Sequence, residues 1–588
     1  MDVSSLIPAG ARYRAEVPGT LDLAERARIG LNGLVGSLDP EGIHEMYFIV
    51  GLGCTPPYMY KDTTGWPTNN PKFAESFPMM RVMSGSSQGL VLEADMMRVM
   101  LAAIGDDGLY YAKVAHGRPW HEGVGHQYPP VGEDFANTYG NARMLLALMA
   151  WHARSPDPAL WKRMAAMAHG LCDMAIDAGS YAYYPDGRIG EAFSRPGSGW
   201  RDTAEPAVEK MGAEGSMFMY HGGQIRALSR WHAMSGDRRS IEMAAKLVRF
   251  VLRPKFWGTP GEPSVQRGAE HGHFDGHIHA HLSVLRGLLE YATVARDRRV
   301  GDFAREGYEY ARHSGLPQVG WFANGASRGW CEGCTMADMV ALALRLSDAG
   351  LGDYYEDAEM IVRNNLAGQQ LVDPARLAEA SRTGPARGPD WDGTLGPFKH
   401  HPGTLPGQTV TEGVLERALG IFAGCAKPDG IPYAWTMQCC TGNGTQGLYY
   451  AWEAIVRERR GLAEVDLLLN RASPWLDVES WLPYEGRVVL RPKTVHRVAL
   501  RLPRWVMPDE VKVEGTEGGP QVVGRHLVVD TAPGATVEIR FPVPEQTATY
   551  TVDGTAYSFT FRGNDVVSVE PRTGGPGYYP MYTEQFSS

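Results

Sequence analysis

Three segments of the chain repeat one pattern, and this repeat constrains the fold more than any other feature. Each segment opens with a polar residue, which is followed by an aromatic residue ten positions later and by an aspartate sixteen positions later. The three sets are Asn141, Trp151 and Asp157; His221, Trp231 and Asp237; and His281, Tyr291 and Asp297. Further helix-like runs follow the second and third sets, at 241–252 and 301–312. Helix pairs that recur in this way predict an (α/α) barrel, a toroid of inner and outer helices.

In such a barrel the inner helices begin at a common end. We therefore expect Asn141, His221 and His281 to surround one pocket and to contact its ligand. The alternative is that they are ordinary residues at helix starts whose side chains face solvent. Histidine is not a favoured N-cap residue, which favours the pocket.

The pattern of apolar residues in the rest of the sequence divides the chain into a helical part and a β-strand part. Apolar residues at helical spacing run from Leu90 to Ile104 and stop at Gly105, as expected of an amphipathic helix. Further helix-like runs are 335–346, 354–366, 410–423 and 444–459. After Gly461, short alternating runs broken by Gly, Pro and Asp predict an all-β domain, a sandwich. The expected architecture is an (α/α) helical barrel of six hairpins over residues 1–460, followed by a β-sandwich over 461–588.

Composition excludes some classes of function. The 588 residues carry a formal net charge of -10 without a long Lys/Arg run, so nucleic acid is not an expected partner. Residues 1–8 lack the basic and apolar regions of a signal peptide, and no apolar stretch is long enough to cross a bilayer. We therefore expect a cytoplasmic protein without a membrane partner. The sequence leaves open whether the protein forms a homodimer. Fifteen Trp and 26 Tyr supply flat faces that suit sugar rings as well as cores.

Four of the seven cysteines fall in two short segments, 330–334 and 437–442. Thiolates are soft ligands that suit zinc, and a neighbouring carboxylate completes a tetrahedron. The expected ligands of one Zn²⁺ are Glu332, Cys334, Cys439 and Cys440. Adjacent cysteines reach one metal only through an unusual backbone turn, which the glycines at 442 and 444 are expected to allow. A structural site of four thiolates that includes Cys331, or a redox disulfide, is the alternative, and spacing alone does not separate a structural from a catalytic site.

The two cysteine motifs also carry a family resemblance. Glu332-Gly333-Cys334 and Cys439-Cys440-Thr441-Gly442, each before a helix, resemble the metal-site motifs of the cysteine-dependent β-L-arabinofuranosidases, glycoside hydrolase family 127 and its relatives. Segments 354–368 and 500–505, and the helix starts at His221 and His281, are similar to that family as well, so the resemblance spans roughly 90 to 570.

The resemblance implies a retaining glycosidase with a carbohydrate substrate. It further implies exo action, in which an arabinofuranoside-like sugar is removed from the end of a chain. It implies that Cys439 is the nucleophile and that Glu332, Cys334 and Cys440 join it on zinc. Metal binding deprotonates a thiol at neutral pH. Two successive displacements at the anomeric carbon then give net retention.

One departure from the family is large. Its general acid/base is a glutamate in the loop before the metal-binding glutamate, yet residues 311–331 contain no Asp or Glu. The family's first helix-start histidine is also replaced, by Asn141. The segment 270–281 supplies the replacement candidates: Asp275 or Glu270 as the acid, or one of its five histidines. A second metal site, a substrate contact through His279, or a plain polar loop are the other interpretations of this segment.

Two competing functions remain open. An (α/α) barrel also suits polysaccharide lyases, sugar epimerases and other carbohydrate-active enzymes, and the missing glutamate favours these. A sugar-binding protein with a structural zinc is the non-catalytic alternative. Fold-level analogy decides little between them.

Overall fold

A computed structural model of the chain describes residues 20–118, 120, 132–186, 193–206, 216–257, 271–274, 277–324, 329–387, 394–395, 398–399 and 405–582. The helices in this part of the chain are α1 (Leu23–Gly36), α2 (Asn70–Ser84), α3 (Leu90–Ala102), α4 (Thr138–Arg154), α5 (Pro158–Met174), α6 (Ser216–Ser235), α7 (Arg238–Val251), α8 (Ile278–Ala295), α9 (Arg298–His313), α10 (Gly333–Asp348), α11 (Tyr355–Met360), α12 (Ala367–Gln369), α13 (Pro374–Thr383), α14 (Val414–Ala418) and α15 (Gln438–Ile455).

Six of these helices contact one another in a closed ring. The order is α2, α4, α6, α8, α10 and α15, and α15 contacts α2 again. The helices α1, α5, α7, α9 and α11 pack against the ring helices that neighbour them in sequence. The faces between the layers form one apolar core, with the ring residues Met144, Leu228 and Leu288 fully buried. The expected helix-rich first part of the chain is thereby confirmed.

The aspartates of the sequence repeat begin the outer helices. Asp157, Asp237 and Asp297 are the N-cap residues of α5, α7 and α9. Each side chain accepts a hydrogen bond from a backbone amide two or three residues later, over 2.7, 3.3 and 3.1 Å. Such a cap stabilises a helix by about 0.5–2 kcal/mol. The repeat therefore marks the points at which the chain turns from an inner to an outer helix.

The strands are β1 (Ile49–Gly51), β2 (Tyr58–Tyr60), β3 (Phe135–Asn137), β4 (Ile176–Asp177), β5 (Ala182–Tyr183), β6 (Ser194–Pro196), β7 (Thr394–Leu395), β8 (Phe398–Lys399), β9 (Thr409–Val410), β10 (Gly430–Ile431), β11 (Trp435–Met437), β12 (Arg457–Arg459), β13 (Leu462–Val465), β14 (Leu476–Ser480), β15 (Arg487–Pro492), β16 (Arg497–Arg501), β17 (Lys512–Glu514), β18 (Gln521–Val523), β19 (His526–Asp530), β20 (Val537–Arg540), β21 (Glu545–Val552), β22 (Thr555–Arg562), β23 (Asp565–Glu570) and β24 (Tyr579–Pro580).

The strands β12 to β23, which follow α15, form three sheets, so the expected strand-rich last part is also confirmed. Their orders are β12-β13-β16-β19-β18, β14-β15-β20-β17 and β21-β22-β23. This part is tied to the helices at several points. The last strand, β24, pairs with β10 of the helical part. Arg363, in a π-helical segment after α11, forms a buried ion pair with Asp565 on β23. The sandwich arrangement and a domain boundary near 460 stay predictions.

One predicted helix is wrong. Residues 410–423 form the end of β9 and the short helix α14, not one long helix. The reason lies at Gly420, whose φ of 100° is outside the range of an α-helix. A Cβ at this position would lie 1.9 Å from the carbonyl oxygen of Ile29 on α1. The chain leaves the helix so that it can pass close to α1.

Among the described helices, none combines the length and apolar composition needed to span a membrane.

Candidate metal and catalytic site

Cys439 and Cys440 lie in the first turn of α15. The strand β11 leads into this turn and pairs with β1, and the amide of Gln438 donates to the carbonyl of Phe48 over 2.8 Å. The predicted irregular glycine turn is therefore wrong, because both cysteines belong to a regular helix start.

The glycines after the cysteine pair have a different role. A Cβ on Gly442 would lie 2.9 Å from the Cβ of Lys72 on α2, and one on Gly444 would lie 2.5 Å from the ring of Phe422. These contacts are closer than side chains tolerate, so both positions need glycine. The glycines allow α2 and the segment before β10 to approach the start of α15 closely.

Glu332 and Cys334 lie at the start of α10. Glu332 is the extended N-cap residue, and Cys334 is the second residue of the helix. The segment before them is held by two backbone hydrogen bonds between Cys331 and Ala426, each 2.8 Å. The amide of Gly333 also donates to the carbonyl of Ala423 over 3.2 Å. The segment before β10 thus fixes the turn that presents Glu332 and Cys334.

Three sulfur atoms converge between these two helix starts. The Sγ atoms of Cys334 and Cys440 are 3.5 Å apart, and those of Cys439 and Cys440 are 4.0 Å apart. Two sulfurs at about 2.3 Å from one tetrahedral zinc are separated by roughly 3.8 Å. A disulfide would need about 2.05 Å, and all three cysteines are free. The spacing fits shared metal ligation and excludes a disulfide among them. We call Cys334, Cys439 and Cys440 the sulfur cluster.

A second group of candidate ligands overlaps the first. One ligand atom each from His279, Glu332 and Cys334 lies within 4.8 Å of the other two, as do the three Sγ atoms of the sulfur cluster. Cys334 belongs to both groups, so the four predicted ligands surround one region, and His279 is a further donor there. Cys331 belongs to neither group among the described residues. Its Sγ instead accepts a hydrogen bond from Gln369 over 3.2 Å, which argues against the four-thiolate alternative.

The three thiols of the sulfur cluster differ in their electrostatics. Hydrogen bonds with Cys334 and Cys440 hold the pKa of the Cys439 thiol well below its usual range, and the nearby charges of Lys72 and His279 add to this against the effect of burial. Burial raises the pKa of Cys334 and of Cys440 well above the usual range. Cys439 is partly exposed, whereas Cys334 and Cys440 are buried. The most readily ionised thiol is therefore also the most accessible one.

A buried cation faces the sulfur cluster. Lys72, near the start of α2, is 3% exposed, and its Nζ lies 5.5 Å from the ring centroid of Tyr139. Burial alone lowers the pKa of Lys72, but Tyr139, Cys334 and Cys439 raise it more. The ammonium group therefore stays charged and favours a thiolate at Cys439. Sequence reasoning missed Lys72 because no local pattern distinguishes one lysine at a helix start.

Two histidines at the start of α8 are held by carboxylates. His277 donates through Nε2 to Oε1 of Glu332 over 2.7 Å, and His279 donates through Nδ1 to Oδ2 of Asp338 over 2.6 Å. Arg286 donates to the other oxygen of Asp338 over 2.6 Å. Although burial opposes it, the charges of His279 and Arg286 lower the pKa of Asp338 to about 2. Asp338 therefore stays ionised and orients the His279 ring.

Sequence reasoning missed Asp338 and Arg286. A signal existed for Asp338, since it follows Cys334 by four residues on one helix and so lies on the same face. Arg286 lies on α8, seven residues after His279, and nothing in its local sequence marks it.

The other predicted substrate contacts are buried side chains with backbone partners. Asn141 is fully buried and makes hydrogen bonds to both the amide and the carbonyl of Tyr110, over 2.7 and 3.0 Å. His221 is also fully buried, and its Nε2 accepts from the amide of Tyr184 over 3.0 Å. Both side chains join an inner helix to the chain around it. Such burial argues against a sugar contact, which for these two residues remains a prediction.

His281 is likewise part of the core. Its Nδ1 donates to the carbonyl of His277 over 3.1 Å, and its ring stacks on Phe274 with centroids 4.4 Å apart. Burial lowers the pKa of His281 to about 4, so the ring is neutral near pH 7. Among the predicted sugar contacts, His279 is the residue that the described structure brings next to the sulfur cluster.

The acid/base candidates Glu270 and Asp275 lie outside the described residues. The loop that carries the acid/base glutamate in the resembled family is described here in part. Its backbone is fixed by a bridge between Leu316 and Trp321 and by a hydrogen bond from the amide of Asn324 to the carbonyl of Trp330. Without a carboxylate in its sequence, this loop supplies no acid.

The fold is similar to that of solved glycoside hydrolases. No protein-family model matches the sequence, and no curated protein matches it. A solved structure described as a glycoside hydrolase is similar over 90% of this chain and 84% of its own, with 12% identity and a TM-score of 0.53.

Two further similar structures carry a more specific description, which names a glycosidase family. The GH127 β-arabinofuranosidase BT3674 is similar over 96% of this chain and 84% of its own, with 14% identity and a TM-score of 0.57. The GH127 β-L-arabinofuranosidase from Geobacillus stearothermophilus T6 is similar over 92% of this chain and 80% of its own, with 14% identity and a TM-score of 0.51. At these identities the similarity is one of fold. The predicted resemblance to family 127 is confirmed at that level.

Proposed function

We propose that this protein is a retaining glycoside hydrolase with the Cys439 thiolate as its nucleophile. We further propose that it binds one zinc ion through Glu332, Cys334, Cys439 and Cys440, and that it acts on an arabinofuranoside-like sugar at a chain end. The observation that carries the proposal is the convergence of three thiols and a carboxylate at two helix starts, with Cys439 as the partly exposed member. The fold shared with GH127 β-arabinofuranosidases supports the sugar class, and we interpret the closed helix ring as the six-hairpin (α/α) barrel.

The donor set suits zinc. Three sulfurs and one carboxylate oxygen are ligands that zinc accepts in tetrahedral sites, and a bound zinc would keep the thiols ionised at neutral pH. His277 holds the carboxylate of Glu332 by a hydrogen bond of 2.7 Å, as outer partners of metal ligands do. Lys72 adds a positive charge beside Cys439. These residues fix the ligand orientations and favour the thiolate form.

Cys439 would act in two displacements. Its Sγ forms a bond to the anomeric carbon while the bond from that carbon to the leaving oxygen breaks, with inversion. Water then displaces the sulfur with a second inversion, so that the configuration is retained overall. For an alkyl or sugar leaving group the departing oxygen needs a proton, and Glu270 and Asp275 remain the proposed donors. An aryl leaving group needs little protonation, so it tests the nucleophile separately from the acid.

The experiment compares hydrolysis of an aryl β-L-arabinofuranoside by the wild type, Cys439→Ala and Cys172→Ala. Cys172 is a buried thiol on α5, outside the sulfur cluster, and serves as the matched control. We expect Cys439→Ala to lose at least about a thousandfold in kcat, because loss of a covalent nucleophile removes most of the catalysis. Cys172→Ala keeps its activity. A folded Cys439→Ala enzyme with wild-type turnover would refute the nucleophile.

The burial of Glu332, Cys334 and Cys440 also favours a second candidate function, a sugar-binding protein with a structural zinc. That candidate predicts that chelation of the metal unfolds the protein and that none of a panel of aryl furanosides and pyranosides is turned over. Hydrolysis by the wild type with retained anomeric configuration, followed by proton NMR, decides in favour of the glycosidase.

A further inference from the structure

A cavity of about 650 Å³ is lined by the later turns of the ring helices. The sulfur cluster lies at the starts of α10 and α15, whereas this cavity is lined from α15 by Tyr449 and Tyr450. Tyr450 follows Cys440 by ten residues, which is about 15 Å along a helix. The volume is typical of small-molecule sites. The cavity is therefore separate from the proposed catalytic site, and we call it the distal cavity.

The distal cavity has an excess of positive side chains. Its lining includes seven arginines and four carboxylates. The arginines come from four of the ring helices and from the strand after α15; they are Arg154, Arg226, Arg230, Arg286, Arg345, Arg457 and Arg459. Four of them also pair with carboxylates outside the lining: Arg154 with Glu93, Arg286 with Asp338, Arg457 with Asp466 and Arg459 with Glu464. Buried charges are costly unless they are paired, so a buried arginine that is only weakly paired favours an anionic ligand.

The innermost arginines share few acceptors. The side chains of Arg226 and Arg286 are 5% and 9% exposed, and both donate to the hydroxyl of Tyr450, over 3.0 and 3.1 Å. The carboxylate of Glu75 lies 3.5 Å from Arg226 but also pairs with Arg143 at 2.9 Å. Arg286 also pairs with Asp338 at 2.6 Å, whereas the carboxylate nearest to Arg226 is more distant and is shared. Arg226 is therefore the most weakly paired of the described buried guanidinium groups at the centre of the cavity.

The charge of Arg226 is destabilised by its surroundings. Burial and the neighbouring charges of Arg286 and Arg230, which outweigh the opposing effects of Tyr450 and Glu75, together lower the pKa of Arg226 to about 10. Arg230 itself is paired with Glu290 at 2.9 Å. At the rim, Arg345 is 56% exposed and lies 3.9 Å from the same carboxylate. An anion beside Arg226 would relieve the repulsion that this guanidinium group experiences.

We propose that the distal cavity binds a small organic oxyanion, of the size of a sugar acid or sugar phosphate. The arginine fork matches the oxygens of a carboxylate or phosphate in a bidentate manner, so Arg226, Arg230 and Arg286 hold the head group. The rest of the wall is largely apolar and includes Met79 and Met149. The volume far exceeds that of an inorganic ion, which is why we assign an organic ligand. The proposal does not rest on the proposed glycosidase activity, although Arg286 also pairs with Asp338, which holds His279.

The test is titration calorimetry on the full chain with glucuronate, glucose 6-phosphate, inorganic phosphate and neutral glucose at equal, low ionic strength. We expect saturable 1:1 binding of at least one organic anion, tighter than inorganic phosphate, and none of glucose. Binding of glucuronate alone or of glucose 6-phosphate alone identifies the head group as carboxylate or phosphate.

The variants locate the site. Arg226→Gln and Arg345→Gln should each weaken binding by about tenfold or more, because each removes a charge-assisted hydrogen bond or an attracting charge. Arg298→Gln removes an exposed arginine on α9 that pairs with Asp302, and leaves binding unchanged. Cys439→Ala also leaves binding unchanged, which separates this site from the sulfur cluster. If Arg226→Gln does not fold, the affinity of Arg345→Gln tests the location of the site, because Arg345 is exposed and its replacement does not disturb the core.

Four results would overturn the proposal. They are the absence of saturable binding by either organic anion, binding of inorganic phosphate that is as tight, binding of glucose that is as tight, and affinity that neither arginine variant changes.

Discussion

Replacement of Asp338 by Asn tests whether a buried charge holds the histidine beside the sulfur cluster. Asp338 is 1% exposed and accepts hydrogen bonds of 2.6 Å from both His279 and Arg286. Asparagine keeps the shape but removes the negative charge. Arg286, with a side chain 9% exposed, would then lack its ionic partner inside the helix ring. The expected effect is a loss of both stability and orientation of His279.

The size of the effect follows from the burial. Removal of one member of a buried ion pair typically costs about 3–5 kcal/mol. At roughly 2.1 cal/mol/K of unfolding entropy per residue, a cooperative unit of about 440 residues has an unfolding entropy of about 0.9 kcal/mol/K. The melting temperature should therefore fall by about 3–5 °C.

The assay is scanning calorimetry of the wild type, Asp338→Asn and the control Asp302→Asn. Asp302 pairs with Arg298 on an exposed helix face, with side chains 39% and 69% exposed, and such a pair contributes about 0–1 kcal/mol. The control should melt within about 1 °C of the wild type. Equal melting temperatures for Asp338→Asn and the wild type would refute the reasoning, since Arg286 would then not depend on this charge.

Three further predictions follow from other contacts. Gly442→Ala should lower stability by about 1–3 kcal/mol in chemical unfolding, because its Cβ would lie 2.9 Å from Lys72; Gly518→Ala, with nothing within 4 Å, is the control, and equal losses would contradict the packing argument. Although burial opposes it, the charges of Arg230 and Arg345 lower the pKa of Glu290 to about 2. This carboxylate therefore contributes about 3 kcal/mol above pH 4.5, and the contribution is lost as the pH falls from about 4.5 to 2. Glu290→Gln should flatten the acid limb of a stability–pH profile, and an unchanged limb would be contrary evidence. Removal of metal with a chelator should lower both the melting temperature and aryl-furanoside turnover, and added zinc should restore both; a chelated protein that keeps both would contradict the metal site.

Local patterns predicted the elements well. The repeat aspartates Asp157, Asp237 and Asp297 mark helix starts because an N-cap is made within three residues of chain. The strands at 487–492 and 526–530 have the predicted bounds, since alternation and turn residues are local signals. Each of these features depends on neighbours in sequence.

Features that depend on distant contacts were missed or misjudged. Gly442 was expected to allow a turn, but it allows the close approach of α2. Gly420 ends a predicted helix because α1 passes beside it. Lys72 and Arg286 reach the site from α2 and α8 only once the helix ring is closed. Ordinary residues in ordinary helices give no sign of such contacts.

The cysteines predicted at the centre of the site converge in the structure, whereas two residues predicted at its edge lie in the core. The two cysteine motifs are short and chemically unusual, and the structure brings Cys334, Cys439 and Cys440 together. The helix-start positions of Asn141 and His221 were identified from the repeat, yet their side chains face the core and bind backbone groups. Periodicity identifies where a helix begins but not the direction in which its first side chains point.

The central claim is that Cys439 attacks the anomeric carbon of a furanoside. The most direct measurement is peptide mass spectrometry after treatment of the zinc-loaded protein with an electrophilic arabinofuranose analogue, such as a cyclophellitol-type epoxide. The account predicts one adduct per chain, located on Cys439, together with loss of activity in proportion to labelling. Complete inactivation with the adduct on another residue, or an unlabelled Cys439 in a protein that hydrolyses the aryl furanoside, would contradict it.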